Sequence, residues 1–353
     1  MVSSCSLRAV RIQEKVELGP LTTLGVGGAA RYFAVAASES DVREAVRWAG
    51  ERGLPLFVLG GGSNLLVSDA GFPGLVLQIG IQGVRDCGEG CFEVGAGEVW
   101  DEFVERMVAA GMQGVECLAG IPGSVGGTPV QNVGAYGQEV AETIVLVRAF
   151  DRTTGQFVEL DREACKFRYR KSLFNTDEPG RYIVTRVDFR LHPDGQARVT
   201  YGDVKRYFAE SSEVADLHHV ASAVRGIRRG KGMLIVKGDP DSRSAGSFFK
   251  NPVVGAERLG EISAAAGVGG DMVPHWPAGD GEIKLSAAWL IERAGFPKGY
   301  TDGAAGISSR HTLALINRGG ANAADIERLQ GRIQDGVRAK FGVGLEREPV
   351  KLG

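Results

Sequence analysis

The residues able to do chemistry in this 353-residue chain fall into two glycine-rich stretches and a few polar clusters. Gly60-Gly61-Gly62-Ser63-Asn64 follows the apolar run LPLFVLG, and residues 118–137 read LAGIPGSVGGTPVQNVGAYG. Without side chains, several backbone N–H groups can face one anion, so a glycine turn after a strand is a natural phosphate-binding device. The first loop is no P-loop, since no lysine follows, and no dinucleotide fingerprint, since no long helix opens after it. The second lacks any hydrophobic period, yet Ile121, Val125, Val130, Val133 and Tyr136 and its near absence of charge set it apart from a solvated linker. Unstructured loops of that length within compact domains are uncommon unless functional or disordered. Two charge-poor loops of this kind in one half of the chain point to a shared extended ligand, such as a dinucleotide pyrophosphate, over glycines kept only for their backbone angles.

CKFRYRKSLF, residues 165–174, sets Lys166, Arg168, Arg170 and Lys171 among aromatics. Such runs are usually solvated faces. On a strand, however, Lys166, Arg168 and Arg170 would share one side, and an arginine beside the interior would hold a carboxylate or phosphate through its forked guanidinium. SAGSFFKNP places Ser244, Ser247, Lys250 and Asn251 in a turn, with Phe248 and Phe249 expected in the core. Ser247 stands in no GxSxG elbow, which disfavours a hydrolase nucleophile. Protonation of a carbanion by its hydroxyl stays open and needs no histidine. Glu348 beside Glu346, Tyr201 and His311 are ordinary taken singly, since exposed acids are routine.

The formal charge of -2 offers no field for nucleic acid. No run of about 18 apolar residues is present to span a bilayer. Charged residues stand where a signal peptide needs an apolar region. Cys5, Cys87, Cys91, Cys117 and Cys165 form no disulfide framework, CGEGC reads as free thiols without a metal, and a cytoplasmic setting is expected.

These residues need a scaffold, and the patterning supplies one. Residues 31–37 read as a strand, 38–53 as a helix burying Val42, Ala45, Val46 and Ala49, and 54–60 as a second strand, paired in parallel through a right-handed crossover. Phe72-Pro73-Gly74 reads as a turn before a strand over Leu75 to Ile79. Further on come a strand from Cys91, an amphipathic helix from Val99, and two strands around a turn at Thr153 to Gly155. RYIVTRVDFRL alternates as an antiparallel strand, and residues 214–229 read as a helix. RRGKG and GDPDSRSAG mark a domain boundary. Beyond it lie a helix near 255–267, the loop VPHWPAGDG, and a helix over KLSAAWLIERAGF with Leu285, Ala288, Trp289 and Ala294 on one side. A strand at HTLALINRG, the longest helix at ANAADIERLQGRIQDGVRAKFG and a final strand carrying Glu348 complete the chain.

In order, TTLGVGG, VLGGGSNLLV, LAGIPGSVGGTPVQNVGAYG, YRKSLF, VTYGDV, AGSFFKNP, KLSAAWLIERAGFPKG, ISSRHTLALIN and EPVKLG resemble the UDP-N-acetylenolpyruvoylglucosamine reductase family, flavoenzymes of bacterial peptidoglycan synthesis. The matching segments run from about residue 21 to the end. The resemblance implies a mixed α+β and α/β fold: a two-subdomain FAD-binding module of the vanillyl-alcohol-oxidase (PCMH) type and a C-terminal α/β substrate domain. Residues 1–80 would form the first subdomain, rejoined by 333–353, with 81–225 as the second and 237–332 as the substrate domain. Non-covalent FAD would contact Gly60, Gly61, Gly62, Ser63, Asn64, Leu65, Gly120, Ile121, Pro122, Gly123, Ser124, Gly126, Gly127 and Ile183.

The same resemblance implies that NADPH reduces the flavin and leaves, and that flavin N5 then delivers hydride to the enolpyruvyl ether of UDP-N-acetylglucosamine. Arg170 and Glu348 would hold the substrate carboxylate and its developing charge, with Glu346 as the alternative acid. Ser247 would protonate the neighbouring carbon, its hydroxyl positioned by Lys250 or Arg170. Tyr136, Tyr201, Lys231, Asn251, Lys298 and His311 would contact substrate, Tyr201 on a loop closing over the UDP moiety. A monomer with small-molecule partners only is expected. A sugar or lactone oxidase of the same fold would often attach its flavin through a histidine, and none lies near the two loops; a sensor that only binds would lack one of Ser247, Arg170 and Glu348.

Overall fold

The computed structural model describes residues 10–353, so Cys5 and most of the N-terminal reading fall outside it. The chain divides into two compact units. The first comprises the residues up to Val16, Ala30–Gly62 and Phe72–Arg228; the second comprises Glu17–Ala29, Ser63–Gly71 and Arg229–Gly353.

Unit 1 is built on two sheets. In the first, the strands run Gln13–Glu17, Ala29–Ala36, Phe72–Ile79, Leu56–Leu59. The expected strand, helix, strand element is present, with α1 at Glu39–Glu51. Its two strands are not neighbours, however: each pairs in parallel with Phe72–Ile79, which lies between them. The Phe72-Pro73-Gly74 turn is likewise the start of that strand, where Gly74 passes so close to Pro55 that a Cβ would lie 2.0 Å from the Pro55 carbonyl oxygen. Ser38 caps α1 by accepting from Asp41 N, and Val42, Ala45 and Ala49 form the buried face. The second sheet is antiparallel, ordered Gln156–Asp161, Ile144–Asp151, Tyr182–Arg190, Cys91–Gly95, Val84–Gly88. α2, Trp100–Ala109, buries Trp100, Phe103, Val104, Met107 and Val108. α3, Gly202–Glu210, was not expected from the sequence; α4, Leu217–Gly230, follows it.

Unit 2 has two small antiparallel sheets and three helices. His275–Gly279, expected as a loop, is a strand beside Glu282–Leu285, which also pairs with Val253–Gly255. α5 is Leu259–Ala266 and α6 is Ala287–Arg293. The expected helix face around α6 is therefore shifted: Leu285 belongs to the strand, and Ala287, Leu290 and Ile291 are the buried residues. α7, Ala323–Phe341, is capped by Asn322 and Asp325 and turns inward Ile326, Leu329, Ile333, Val337 and Phe341, close to one residue per turn. It ends at Gly342, whose φ of 64° is the left-handed conformation that glycine takes without strain. The final strand, Val350–Leu352, pairs in parallel with Leu65–Val67.

Candidate active site

In unit 1, the stretch 118–137 is pinned, not floppy. Buried Glu116 accepts hydrogen bonds from Gln138 Nε2 at 2.7 Å and Arg198 N at 3.0 Å. Trp100 Nε1 reaches the Leu118 carbonyl, and Ser172 Oγ reaches that of Val130. The segment then crosses the start of α2: Trp100 N donates to Gly123 O, and Val125 N to Glu98 O. Gly120 is fixed at both ends of its peptide unit, its N–H on Asp101 Oδ1 at 2.5 Å and its carbonyl under Arg228 Nε at 3.0 Å. Arg228 is buried, and that burial draws its pKa below the ordinary arginine value against the pull of Tyr136 and Asp101.

The two glycine-rich loops meet backbone to backbone. A Cβ on Gly61 would lie 2.6 Å from Gly123 Cα, and one on Gly60 would lie 2.7 Å from Ser124 Oγ. Gly62 and Gly123 have φ of 64° and 135°, which side-chain-bearing residues resist. Among the described residues, the N–H groups of Gly61, Gly62, Gly123 and Ser124 have no acceptor. A bare backbone surface with a row of such donors is the chemistry a pyrophosphate requires, so these residues fit FAD. The first loop is divided: Gly60–Gly62 belong to unit 1, whereas Ser63, Asn64 and Leu65 belong to unit 2. Ile183, named with the loops, is a central-strand residue paired with Phe150 and 1% exposed, so its side chain serves the core.

Residues 165–172 form no strand. Arg168 and Lys171 exchange backbone hydrogen bonds of 2.8 and 3.0 Å, leaving Tyr169 and Arg170 at the tip of a tight turn. Alternation of side chains is thereby replaced by selection. Arg168 is committed to Asp177 at 2.8 Å, while Arg170 has a left-handed φ of 56° and its guanidinium stands 5.7 Å from the centroid of the Tyr169 ring. Tyr136, also left-handed at φ 48°, meets Tyr201 edge to face with ring centroids 5.4 Å apart.

Unit 2 collects the other candidates. Ser247 sits between Gly246, φ 71°, and the fully buried Phe248 and Phe249. Glu348 N donates to Phe248 O, Lys250 N donates to Glu346 O, and Phe249 stands opposite Arg347. Asn64 holds the same C-terminal segment, its carbonyl accepting from Val350 N at 3.0 Å and its amide donating to Glu348 O at 3.4 Å. Glu348 is thus held from two sides, by Asn64 and by the backbone of the segment that carries Ser247. Glu346 is 73% exposed and paired with Lys250 at 2.7 Å, which occupies Lys250 as well.

Lys231, Lys298 and His311 lie on three turns that converge on Ser308. Gly299 N donates to Ser308 O, and Ser308 Oγ accepts from Arg310 N and His311 N. Asn251 has a structural duty, accepting from Ala287 N at the start of α6. Sequence reasoning passed over Asp101, Arg225 and Arg228 around Gly120, and Asp239, Asp241 and Arg310 around Ser308. The only signals were the basic run GIRRGK and the acids of GDPDS, which look like solvated charge until folded.

Two interlocked glycine loops on a parallel-plus-antiparallel unit, followed by a second unit that carries the polar residues, define a flavin-dependent oxidoreductase. Residues 30–161 match the FAD binding domain family, and residues 239–352 match the C-terminal domain of UDP-N-acetylenolpyruvoylglucosamine reductase. The Streptomyces coelicolor UDP-N-acetylenolpyruvoylglucosamine reductase is 46% identical across 100% of this chain and 93% of its own length. The Thermobifida fusca enzyme of that name is 45% identical over 96% of this chain and 97% of its own. A crystal structure of the Thermus caldophilus enzyme matches with a TM-score of 0.68 and 29% identity, covering 98% of this chain and 100% of that one. The chain belongs to the UDP-N-acetylenolpyruvoylglucosamine reductase family. No helix among the described residues is long and apolar enough to cross a membrane.

Proposed function

We propose that this chain reduces the enolpyruvyl group of UDP-N-acetylglucosamine enolpyruvate to UDP-N-acetylmuramate with NADPH as electron source, acting as a cytoplasmic monomer. The observation that carries the reading is the 46% identity to a named reductase across the whole of this chain, together with the presence of Ser247, Arg170 and Glu348. Bound FAD supplies the hydride.

The chain's residues do the rest. Addition of hydride to the enol ether builds negative charge beside the substrate carboxylate. Arg170 answers it with a charged fork, and Glu348 shares in holding the carboxylate as charge develops. Ser247 Oγ gives its proton to the carbon next to the carboxylate. A hydroxyl is a weak acid, so its role depends on placement, which the buried Phe248 and Phe249 support by fixing the backbone on one side. Lys250, one of the two candidates for assisting the serine, is paired with Glu346 at 2.7 Å. Lys231, Lys298 and His311 suit a diphosphate because they offer cationic and hydrogen-bonding groups on turns around one residue, Ser308. Tyr201 is 46% exposed and contacts Tyr136 by one ring edge, which suits a residue that moves over a nucleotide.

The test is anaerobic. Stopped-flow mixing of flavin-loaded protein with NADPH should bleach the flavin, and adding the enolpyruvyl nucleotide should restore it. In Ser247→Ala the second step should slow by about 10²- to 10⁴-fold, the usual contribution of a positioned proton donor, with the first unchanged. A flavin that only oxygen reoxidises would overturn the substrate reading, and equal slowing of both steps would overturn the role of Ser247.

A further inference from the structure

We propose that Asp241 and Arg310, with Ser309 and Asp239, form a clamp that positions Lys231, His311 and Lys298 for the diphosphate of the nucleotide substrate; this rests on the substrate reading above. Asp241 is 4% exposed and accepts three hydrogen bonds: from Ser309 Oγ at 2.7 Å, Arg310 Nε at 2.9 Å and Ser309 N at 3.3 Å. Arg310 also pairs with Asp239, and its Nη1 donates to the Arg229 carbonyl at 2.9 Å. That carbonyl closes the turn Arg229–Gly232 by accepting from Gly232 N at 3.0 Å, and Lys231 is one of the two residues at the turn's tip.

Gly232 is the pivot. It has φ 65°, and a Cβ there would stand 3.0 Å from Asp241 Cβ, 3.1 Å from Ser308 Oγ and 3.2 Å from Arg310 Nε. The turn bearing Lys231 is therefore seated closely against the clamp, and a side chain there would strain the backbone and press on its neighbours. On the other side, Asp241 holds Ser309 in the turn Ser308–His311, where Ser308 Oγ accepts from His311 N. The Ser308 carbonyl in turn accepts from Gly299 N, next to Lys298. One buried carboxylate and one guanidinium thus tie together three separately encoded turns.

The charge is well held. Burial works to raise the Asp241 pKa, and hydrogen bonds from Ser309 and Arg310 outweigh it, leaving the group below the ordinary carboxylate value. Asp239, then Asp241, hold the Arg310 guanidinium above its usual value. Asp241 and Arg310 are committed to each other and to backbone, so they are positioning residues whose effect on substrate passes through Lys231, His311 and Lys298. A displacement of about 1 Å in such groups is enough to cost up to about 100-fold in function.

The test uses the flavin-loaded enzyme and the variants Asp241→Asn, Arg310→Lys and Ser309→Ala. In the first two, KM for the enolpyruvyl nucleotide and Kd for UDP alone should each rise about tenfold, with kcat within about twofold, because ground-state positioning is lost and the chemistry is not. Ser309→Ala, which removes one hydrogen bond, should move both constants the same way by about two- to threefold. Lys231→Ala combined with Asp241→Asn should be less severe than the product of the two single effects, as expected if Asp241 acts in part through Lys231. Unchanged KM and UDP affinity with a lower Tm would reduce the clamp to a structural role and overturn the proposal, as would full additivity in the double variant. If Asp241→Asn does not fold, Ser309→Ala decides by the same criteria. A wild-type enzyme that neither binds UDP nor turns over the enolpyruvyl nucleotide would instead sink the substrate reading, and the clamp with it.

Discussion

Replacing Gly61 with alanine tests the cofactor cradle at the point where the two loops touch. The added Cβ would lie 2.6 Å from Gly123 Cα, 2.7 Å from Gly123 C and 3.0 Å from Ser124 N, all backbone atoms that cannot rotate away. Carbon atoms in comfortable contact stand about 3.5–4.0 Å apart, so the loops must part by roughly 1 Å. Gly61 is exposed, so its loop can retreat outward without disturbing the core of unit 1. The cost to folding should then be at or below the low end of the about 1–3 kcal/mol typical of overpacked cores. The cost to FAD should be larger, because the move separates two sets of donors that serve one anion. Loss of one charge-assisted hydrogen bond, about 1.5–3 kcal/mol, weakens Kd by roughly 10- to 100-fold.

The assay has three readings: flavin absorbance per mole of purified protein, Kd from fluorescence quenching as apoprotein is titrated with FAD, and Tm with and without FAD. Gly61→Ala should purify flavin-poor, bind FAD at least about tenfold more weakly, and show an apoprotein Tm within a few degrees of wild type. Stoichiometric flavin at wild-type Kd would refute the cradle. A collapse of the apoprotein Tm would show that Gly61 serves the fold instead.

Two further changes probe other parts of the molecule. Glu348→Gln should lower turnover with the enolpyruvyl nucleotide by at least about tenfold, whereas Glu346→Gln, whose carboxylate is 73% exposed and paired only with Lys250, should change it little; the reverse pattern in steady-state kinetics would transfer the role to Glu346. Asp151 is held by Arg181 through hydrogen bonds of 3.1 and 2.8 Å and by Thr153 N, and Arg181 above all draws its pKa well below the ordinary carboxylate value, against burial. Because the folded-state pKa is depressed, this stabilisation is complete above the unfolded value of about 3.9 and disappears as pH falls toward the folded one. Asp151→Asn should therefore lower Tm at pH 7 and flatten the acid limb of a Tm-against-pH curve, and parallel curves for the two proteins would disprove the linkage.

Much of the fold was readable because local physics wrote it into short windows. α1 and α7 announce themselves by apolar spacing and by the caps Ser38 and Asn322, and Tyr182–Arg190 by alternation. Misreadings arose where distant chain overrode local signals. Phe72-Pro73-Gly74 has turn composition, yet it is drawn into a strand because Pro55 presents a carbonyl to Leu75 N. His275–Gly279 has loop composition and gains its strand from pairing with Glu282–Leu285. In the basic segment, a solvated face and an alternating strand were both open from the sequence, whereas the chain makes a turn at Arg168–Lys171 in which Arg170 takes a left-handed backbone that no spacing rule foresees.

The sequence by itself determined the chemistry available: two side-chain-free loops for an anion, a serine without a histidine, an arginine among aromatics and a late glutamate, in an order that identifies the family. Only the tertiary structure decided how those groups are held. It set Gly61 against Gly123, 62 positions further along the chain, placed Glu348 beside the segment that carries Ser247 through the Phe248 carbonyl, and enlisted Asp241 and Arg310 to hold the turns bearing Lys231 and His311. The reason is the same throughout. Residue type and local spacing govern which bonds a group can make, whereas the partner that takes each bond is chosen by segments far away in the chain and brought near only by burial.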